Sequence, residues 1–326
     1  MKLRVVLGTM TYGSQTQLEG ATAQLAHFVG KGHAEVDTAR MYNKGATETM
    51  LGAILGERAD LRGALRVASK ANAFAGYDRE LTAASVERQF AATAEALKAT
   101  PVDVYYLHNP DPTTPILETL EAVDALHKCG KIKELGLSNY ASWEVCHIHH
   151  LCETHGFVKP TVYQGMYNAI TRDVERELLP CLRALGMRFY AYNLLCGGLL
   201  ACARTRESYE ALDDGSRFSK GNTMYRERYL RDVQLDSVDA FREACAGAGV
   251  PPVDSALRWL QHHSRLVDGD GIIVGASSLK NLEENLSALE SGGGLPRAVI
   301  DACDSGWGKI KASGLVPSYE RGTSLY

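Results

Sequence analysis

The chain has 326 residues, of which 45% are hydrophobic and 23% are charged, and its formal net charge at neutral pH is −4. This composition is typical of a globular protein with a sizeable core. The slight negative charge gives no electrostatic indication of binding to nucleic acid or to an anionic membrane. We therefore expect neither nucleic acid nor a membrane among the partners of this protein.

The spacing of the cysteines and the character of the first ten residues indicate in which cellular compartment the protein is expected. Eight cysteines are scattered without a C-x-x-C pair, which argues against a disulfide framework and a zinc ribbon and fits a reducing environment. The opening segment "MKLRVVLGTM" lacks the features of a signal peptide, and no apolar run is long enough to span a bilayer. The expectation is a cytoplasmic protein that binds no metal.

Short runs rich in β-branched residues recur along the chain. They occupy 4–8, 34–38, 65–70, 102–108, 131–139, 160–166, 187–192 and 271–277. Segments with helical spacing separate most of them, such as "LTAASVERQFAATAEALKAT", in which Leu81, Val86 and Phe90 begin an apolar stripe. Eight strands that alternate with helices predict an α/β fold, a closed (β/α)₈ TIM barrel that forms a single domain over 1–326. The main rival, a doubly wound sheet, normally carries G-x-G-x-x-G after its first strand, and "LGTMTYGS" lacks it.

The regular alternation stops between the seventh and eighth predicted strands. Residues 194–234 are rich in Gly, Arg, Ser and Tyr, which predicts a long loop. In a barrel this loop would lie on the C-terminal face, where barrel enzymes keep their active sites.

Polar side chains stand at the ends of three consecutive predicted strands. Asp37 follows the second, Lys70 the third and His108 the fourth, while Tyr42 lies in the loop beyond the second strand. Each has an ordinary structural explanation when taken alone, but a closed barrel would bring all four to one mouth. The set suits proton transfer to a carbonyl oxygen: an ammonium lowers the pKa of a nearby phenol, a carboxylate orients the ammonium, and a histidine stabilises charge on the oxygen. The missing reductant would be a hydride donor such as a nicotinamide.

These residues carry a family resemblance. The motifs "DTARMY", "YLHNPD", "ELGLSNY", "PTVYQGMYNAITR", "SALRWLQHHS" and "GASSLKNLEENL" are similar to those of aldo-keto reductases, most closely the aflatoxin-aldehyde and succinic-semialdehyde reductase subfamily. The resemblance runs over essentially the whole chain and implies a barrel without a Rossmann domain. It also implies Tyr42 as proton donor, Lys70 as the group that lowers its pKa, Asp37 as the partner of Lys70, and His108 as the residue that orients the substrate carbonyl.

The resemblance further implies a cofactor, NADPH/NADP+, and the residues that contact it. Ser138, Asn139 and Gln164 match the contacts to the nicotinamide carboxamide, and Tyr192 matches the aromatic that stacks on the ring. Asn193, Gly197, Gly198, Leu199 and Arg204 belong to the loop over the pyrophosphate, and Arg217 matches a further contact. Ser277, Lys280, Asn281, Glu284 and Asn285 lie in the segment that binds the adenosine end and its 2′-phosphate.

The implied substrate is an aldehyde, with ketones and dialdehydes as further candidates. Tyr225 and Arg228 match subfamily residues that bind a substrate carboxylate, a task for which the planar fork of arginine is suited. The subfamily closes its pocket with a C-terminal arginine directly after an aromatic residue. Here Glu320 stands between Tyr319 and Arg321, so the match of Arg321 is displaced by one position.

Other functions were weighed against a reductase. Channel β-subunits share this fold and a similar tetrad, which makes a nicotinamide-binding, redox-sensing subunit the alternative. A metal-dependent barrel hydrolase would need ligand pairs at the strand ends, and the histidines of "HIHH" (147–150) and "QHHS" (261–264) lie instead in segments with helical spacing. A homodimer is compatible with the sequence, which does not determine the oligomeric state.

Overall fold

Eight parallel strands close into a barrel in which each strand pairs with its neighbours in chain order and β8 pairs with β1. The computed structural model describes residues 3–73, 80–99, 101–201, 204, 206–210, 212 and 217–320. The strands are β1 (Arg4–Gly8), β2 (Glu35–Asp37), β3 (Arg66–Ala71), β4 (Val102–Leu107), β5 (Ile132–Ser138), β6 (Pro160–Met166), β7 (Arg188–Tyr192) and β8 (Gly271–Gly275). The predicted (β/α)₈ barrel is confirmed.

Helices follow the strands around the outside of the barrel. They are α1 (Leu18–Gly30), α2 (Ala46–Glu57), α3 (Ala59–Ala64), α4 (Ala83–Leu97), α5 (Ile116–Lys128), α6 (Ser142–His155), α7 (Leu178–Ala184), α8 (Arg206–Glu210), α9 (Thr223–Tyr229), α10 (Asp232–Ala248), α11 (Pro252–His262), α12 (Leu279–Ser291) and α13 (Arg297–Ala312). In α4, the periodic apolar side chains Val86, Phe90 and Leu97 are buried. None of the helices in the described ranges is both long and apolar enough to cross a bilayer.

The segment between β7 and β8 differs from the prediction of one long loop over 194–234. The described part contains a 3₁₀ turn at Cys196–Gly198, the short helices α8 and α9, and the start of α10. The Asn222 side chain caps α9 by accepting a hydrogen bond from the Tyr225 backbone N–H. The loop prediction underestimated this local order because the Gly- and Ser-rich stretches hide short helices that packing stabilises.

Large side chains fill the barrel interior, and some of them pack directly against glycines on neighbouring strands. Val6, Tyr106, Val162, Tyr190 and Ile273 form a separate buried cluster inside the strands. A Cβ at Gly136 would lie 2.3 Å from the Tyr106 ring, so only glycine leaves room for that ring. The interior is therefore a packed core rather than a pore.

The N-terminal end of the barrel is closed by ion pairs between strands, two of them between adjacent strands and one from β7 to β5 across β6. Arg4 pairs with Glu35 at 2.7 Å and Lys133 with Asp103 at 2.6 Å, and Arg188 pairs with Glu134. These side chains surround a cavity of about 120 Å³. Because barrel enzymes place their chemistry at the opposite face, this charged end is assigned to closure of the fold.

Candidate active site

A buried ion pair joins the second and third strands at the C-terminal mouth. Lys70, on β3, lies one strand away from Asp37, the last residue of β2. The Lys70 Nζ lies 2.7 and 2.8 Å from the two Asp37 carboxylate oxygens and donates to the Thr38 carbonyl oxygen at 2.7 Å. Lys70 has no exposed surface, and an isolated ammonium would be costly at that depth. The carboxylate and the carbonyl therefore hold the ammonium charged and fixed in position.

The Tyr42 hydroxyl is placed next to this ammonium. Tyr42 begins a 3₁₀ turn, Tyr42–Gly45, between β2 and α2, and its hydroxyl lies 3.4 Å from the Lys70 Nζ. The same Nζ lies 5.0 Å from the centroid of the Tyr42 ring. The ammonium can thus stabilise a phenolate at this position as it forms.

His108 completes the four residues. It directly follows β4, is 8% exposed, and presents its ring edge-on to Tyr42 with the ring centroids 6.1 Å apart. The four side chains that the sequence predicted at strand ends therefore lie together at one mouth. A carbonyl group between Tyr42 and His108 would have polar side chains on two sides.

The pKa of the phenol does not follow the prediction. Burial, followed by the negative charge of Asp37, raises the pKa of Tyr42 well above its ordinary value near 10, while Arg217 acts in the lowering direction. Burial also lowers the pKa of Lys70, against the opposing charge and hydrogen bonds of Asp37. The predicted lowering of the Tyr42 pKa by Lys70 is not the net result, because burial and the negative charge of Asp37 act in the raising direction. A raised pKa keeps Tyr42 protonated at neutral pH, which a proton donor requires.

The residues predicted to contact a nicotinamide carboxamide lie beside the four. Gln164, on β6, donates from Nε2 to the Asp37 Oδ1 at 2.8 Å. Asn139, with a φ of 63°, donates from Nδ2 to the His108 carbonyl at 2.7 Å and to the Ser138 Oγ at 3.0 Å. The Tyr192 hydroxyl, at the end of β7, donates to the Asn139 Oδ1 at 3.0 Å. Hydrogen bonds thus orient the predicted nicotinamide side of the mouth.

The predicted pyrophosphate loop forms a tight turn after β7. Asn193 has a φ of 62°, Gly197 of 72° and Gly198 of 105°. Asn193 donates to the Tyr229 hydroxyl at 2.5 Å, and a Cβ at Gly197 would lie 2.7 Å from the Tyr225 ring. Gly197 is therefore required both for its backbone conformation and for close packing of Tyr225.

Two arginines lie beside the ring of Tyr225 in the predicted substrate region. The guanidinium carbon of Arg217 lies 5.5 Å and that of Arg228 lies 5.8 Å from the centroid of the Tyr225 ring. Tyr225 is 8% exposed, and both arginines are half-buried. The charges of Tyr225 and Arg217 act on the pKa of Tyr42, which places this cluster within electrostatic reach of the Tyr42 hydroxyl. Arg321, also predicted for the substrate, lies outside the described residues.

The predicted adenosine segment forms a separate cluster at the start of α12. The Ser278 side chain caps this helix by accepting from the Asn281 backbone N–H, and the Asn281 Nδ2 donates to the Ser277 Oγ at 3.1 Å. Lys280 forms an exposed ion pair with Glu284 at 3.8 Å, and Asn285 is buried. A helix N-terminus with a nearby lysine favours a phosphate group.

Three supporting residues were not predicted from the sequence. Asn43, with a φ of 49°, donates from Nδ2 to the Tyr12 carbonyl at 2.8 Å and to the Met10 carbonyl at 3.0 Å, which ties the Tyr42 turn to the loop after β1. Buried Glu48 accepts from the Ser69 Oγ at 2.6 Å, directly behind Lys70. Arg242 donates to the carbonyl oxygens of Leu199 at 2.8 Å and Arg204 at 3.3 Å and so holds the predicted pyrophosphate loop.

The sequence contains only weak indications that these three residues support the site. Asn is favoured where a non-glycine backbone adopts a positive φ, so Asn43, two residues before Gly45, was the one pattern that could have been recognised in the sequence. Glu48 and Arg242 lie in helical segments, where charged residues are ordinary. In the described part of the chain, no group of three or more His, Cys, Asp or Glu side chains is arranged to hold a metal.

Comparison with known proteins agrees with this geometry. The sequence pattern of the Aldo/keto reductase family matches residues 4–307. The chain is 46% identical over 314 residues to aflatoxin B1 aldehyde reductase member 2 of Homo sapiens, covering 93% of this chain and 86% of that protein. It is 45% identical over 312 residues to aldo-keto reductase family 7 member A3 of Homo sapiens, covering 93% of each. Oxidoreductase sirO of Leptosphaeria maculans is 35% identical over 328 residues, covering 97% of this chain and 96% of that protein.

Family membership therefore rests on the whole barrel and not on one motif. The matched region begins with β1 and ends inside α13, and it contains all four residues of the mouth. The chain belongs to the aldo/keto reductase family and is an oxidoreductase.

Proposed function

We propose that this protein uses NADPH to reduce aldehydes to alcohols, with Tyr42 as the proton donor. The observation that carries the proposal is the contact series Asp37–Lys70–Tyr42, with the His108 ring 6.1 Å from the Tyr42 ring. Two relatives that match over most of the chain are named aflatoxin B1 aldehyde reductases. Their names support an aldehyde as the substrate class.

The described residues fit a dinucleotide with an extra phosphate. A Cβ at Gly198 or Gly275 would meet no atom within 4 Å, so a ligand can approach the backbone at both positions. Arg217 and the N-terminus of α12 with Lys280 supply positive charge for phosphate groups. Tyr192, a partly exposed aromatic at the end of β7, offers a flat face for a nicotinamide ring.

The residues at the mouth divide the chemistry between them. When bound, NADPH supplies the hydride that adds to the carbonyl carbon. The Tyr42 hydroxyl donates its proton to the carbonyl oxygen, and the Lys70 ammonium, 3.4 Å away, stabilises the phenolate that remains. Asp37 keeps Lys70 charged, and His108 stabilises the negative charge that develops on the carbonyl oxygen.

The two arginines beside Tyr225, Arg217 and Arg228, indicate which aldehydes are favoured as substrates. Arg228 is a half-buried guanidinium beside Tyr225, and a half-buried charge gains from a partner of opposite sign. A carboxylate on the substrate would form a planar, bidentate pair with it. We therefore propose small aldehydes that carry a carboxylate, or dialdehydes with an acceptor in the same place, as preferred substrates.

The test compares catalysis and binding in Tyr42→Phe. We expect steady-state oxidation of NADPH by an aldehyde panel to fall by at least a hundredfold, within the range known for loss of a general acid. The Kd for NADPH, measured by fluorescence titration, should stay within about twofold, because the phenyl ring remains. Tyr190→Phe is the matched control, since it removes a tyrosine hydroxyl that bonds Glu35 at the opposite end of the barrel.

Each result has a defined meaning. Substantial turnover in Tyr42→Phe would show that another group donates the proton. Tight NADPH binding by the unmodified protein without turnover of any aldehyde would support a redox-sensing subunit instead.

A further inference from the structure

Two cysteine thiols meet on the outside of the barrel. Cys146 lies on α6 and is exposed, and Cys181 lies on the neighbouring helix α7 and is half-buried. Their Sγ atoms are 3.2 Å apart. The proposed reductase chemistry uses neither residue, and the resemblance assigns no role to them.

The surrounding contacts hold the two helices in this arrangement. The Cys181 Sγ lies 3.6 Å from the Ser142 carbonyl oxygen in the first turn of α6. The Ser142 Oγ donates to a Glu177 carboxylate oxygen at 3.4 Å, just before α7 begins. Because both helices are anchored at the same level, the thiols meet without a large movement of either backbone.

A covalent bond between them needs only a small displacement. Disulfide sulfurs are about 2.05 Å apart, so the two sulfurs, now 3.2 Å apart, would have to approach by about 1.1 Å. We propose that Cys146 and Cys181 are a modification site: a dithiol that a hydroperoxide converts to a reversible disulfide between α6 and α7.

The exposure of the two thiols determines which of them reacts with the oxidant first. Burial and the hydrogen bond with Cys146 raise the pKa of Cys181 to about 12, so Cys181 stays a thiol at neutral pH and is a poor first nucleophile. Cys152, Cys196, Cys245 and Cys303 are buried. Cys146 is therefore the member of the pair that an oxidant in solution reaches first.

The reaction balances as follows. The Cys146 sulfur attacks one peroxide oxygen, the O–O bond breaks, and Cys146 becomes a sulfenic acid while one water leaves. The Cys181 sulfur then attacks the Cys146 sulfur, the S–O bond breaks, and the departing hydroxide takes the Cys181 proton as a second water. In sum, two thiols and one hydrogen peroxide give one disulfide and two waters, and a dithiol reductant reverses the change by exchange.

The experiment treats the purified full-length protein with a small excess of hydrogen peroxide, blocks free thiols and maps peptides by mass spectrometry without reduction. We expect a cross-linked Cys146–Cys181 peptide, two mass units lighter than the sum of the thiol peptides, that dithiothreitol removes. The oxidised protein should also melt about 5 °C higher, since a cross-link restricts the unfolded chain. Cys146→Ser and Cys181→Ser should each abolish the cross-link and the shift.

Cys129→Ser is the matched control, because Cys129 is exposed and lies at the end of another barrel helix. This variant should form the cross-link like the unmodified protein. Oxidation that stops at a sulfinic acid on Cys146 while Cys181 remains a free thiol would overturn the proposal. So would a cross-link that joins Cys146 to any other cysteine.

Discussion

Gln164 and Asp37 are joined by a hydrogen bond across the barrel mouth, although their positions in the chain differ by 127. The Gln164 amide, on β6, donates to the same Asp37 oxygen that lies 2.7 Å from the Lys70 ammonium. Asp37 is therefore held from two sides, and a residue assigned by resemblance to the nicotinamide also orients the carboxylate.

Gln164→Leu should lower the free energy of unfolding by about 1.5–3 kcal/mol at pH 7, because a buried carboxylate loses a charge-assisted hydrogen bond. Urea denaturation measures the change. Gln234→Leu is the control, since that buried amide donates to the neutral Leu315 carbonyl and should cost only about 1 kcal/mol. Equal losses in the two variants would mean that Asp37 does not depend on Gln164.

The pH dependence of aldehyde reduction should reflect the raised pKa of Tyr42. Because the phenol must be protonated and its pKa lies well above 10, kcat/KM for the aldehyde at saturating NADPH should not fall with rising pH until the medium is above about pH 10. Initial rates measured from about pH 6.5 to 10.5 test this. A basic limb near pH 8 would show that a group with a lower pKa controls the proton transfer.

Lys280 should contribute to the preference for NADPH over NADH. Lys280→Met should raise the Kd for NADPH about fivefold, on the order of 1 kcal/mol, and leave the Kd for NADH unchanged. The difference should shrink as salt is added, because an exposed contact with a 2′-phosphate is screened.

A matched control is a lysine outside α12, Lys31 at the end of α1, whose partner lies on the same helix as Lys280. Lys31→Met breaks an exposed ion pair at 2.9 Å with Glu290, near the far end of α12. It should change neither affinity. An effect of Lys280→Met on both cofactors alike would assign this lysine to the helix rather than to the 2′-phosphate.

Arg228 should distinguish substrates by charge. Arg228→Met should raise KM for an aldehyde that carries a carboxylate by about ten- to a hundredfold, given about 1.4 kcal/mol per decade, and leave an uncharged aromatic aldehyde little changed. Arg231→Met, which removes an exposed arginine just beyond the same helix, should affect neither substrate. If both aldehydes suffer equally in Arg228→Met, the arginine serves the cofactor or the fold of this segment.

The strands were well predicted because their pattern is local. Each of the eight differs from its predicted bounds by two residues or fewer at either end. Parallel strands buried on both faces read as short β-branched runs, and helices between them read as apolar stripes. The short helices between β7 and β8 were missed because their stability comes from contacts such as the edge-to-face contact of Phe218 with Tyr225, which no local pattern contains.

From the sequence, the placement of residues at the barrel mouth could be predicted, but their ionisation could not. Strand ends meet in a closed barrel, so Asp37, Lys70 and His108 could be placed together without coordinates. The pKa of Tyr42 could not be predicted, because it depends on how deeply the phenol is buried and on how closely the negative charge of Asp37 approaches it. Glu48 was not predicted for a similar reason. The hydrogen bond that it accepts from the Ser69 hydroxyl exists only when α2 packs on β3.

The charged ring at the N-terminal end of the barrel has a consequence for how new specificities could be obtained. The ion pairs Arg4–Glu35, Lys133–Asp103 and Arg188–Glu134 connect strands there, at the end opposite the loops for which we propose contacts with cofactor and substrate. Substitutions at exposed positions in the described part of 194–234 should therefore leave the strand contacts at that end intact, provided that core side chains such as Leu199 and Tyr229 are kept. Libraries that randomise only those exposed positions and leave the ring untouched should yield folded variants more often than libraries that randomise the ring.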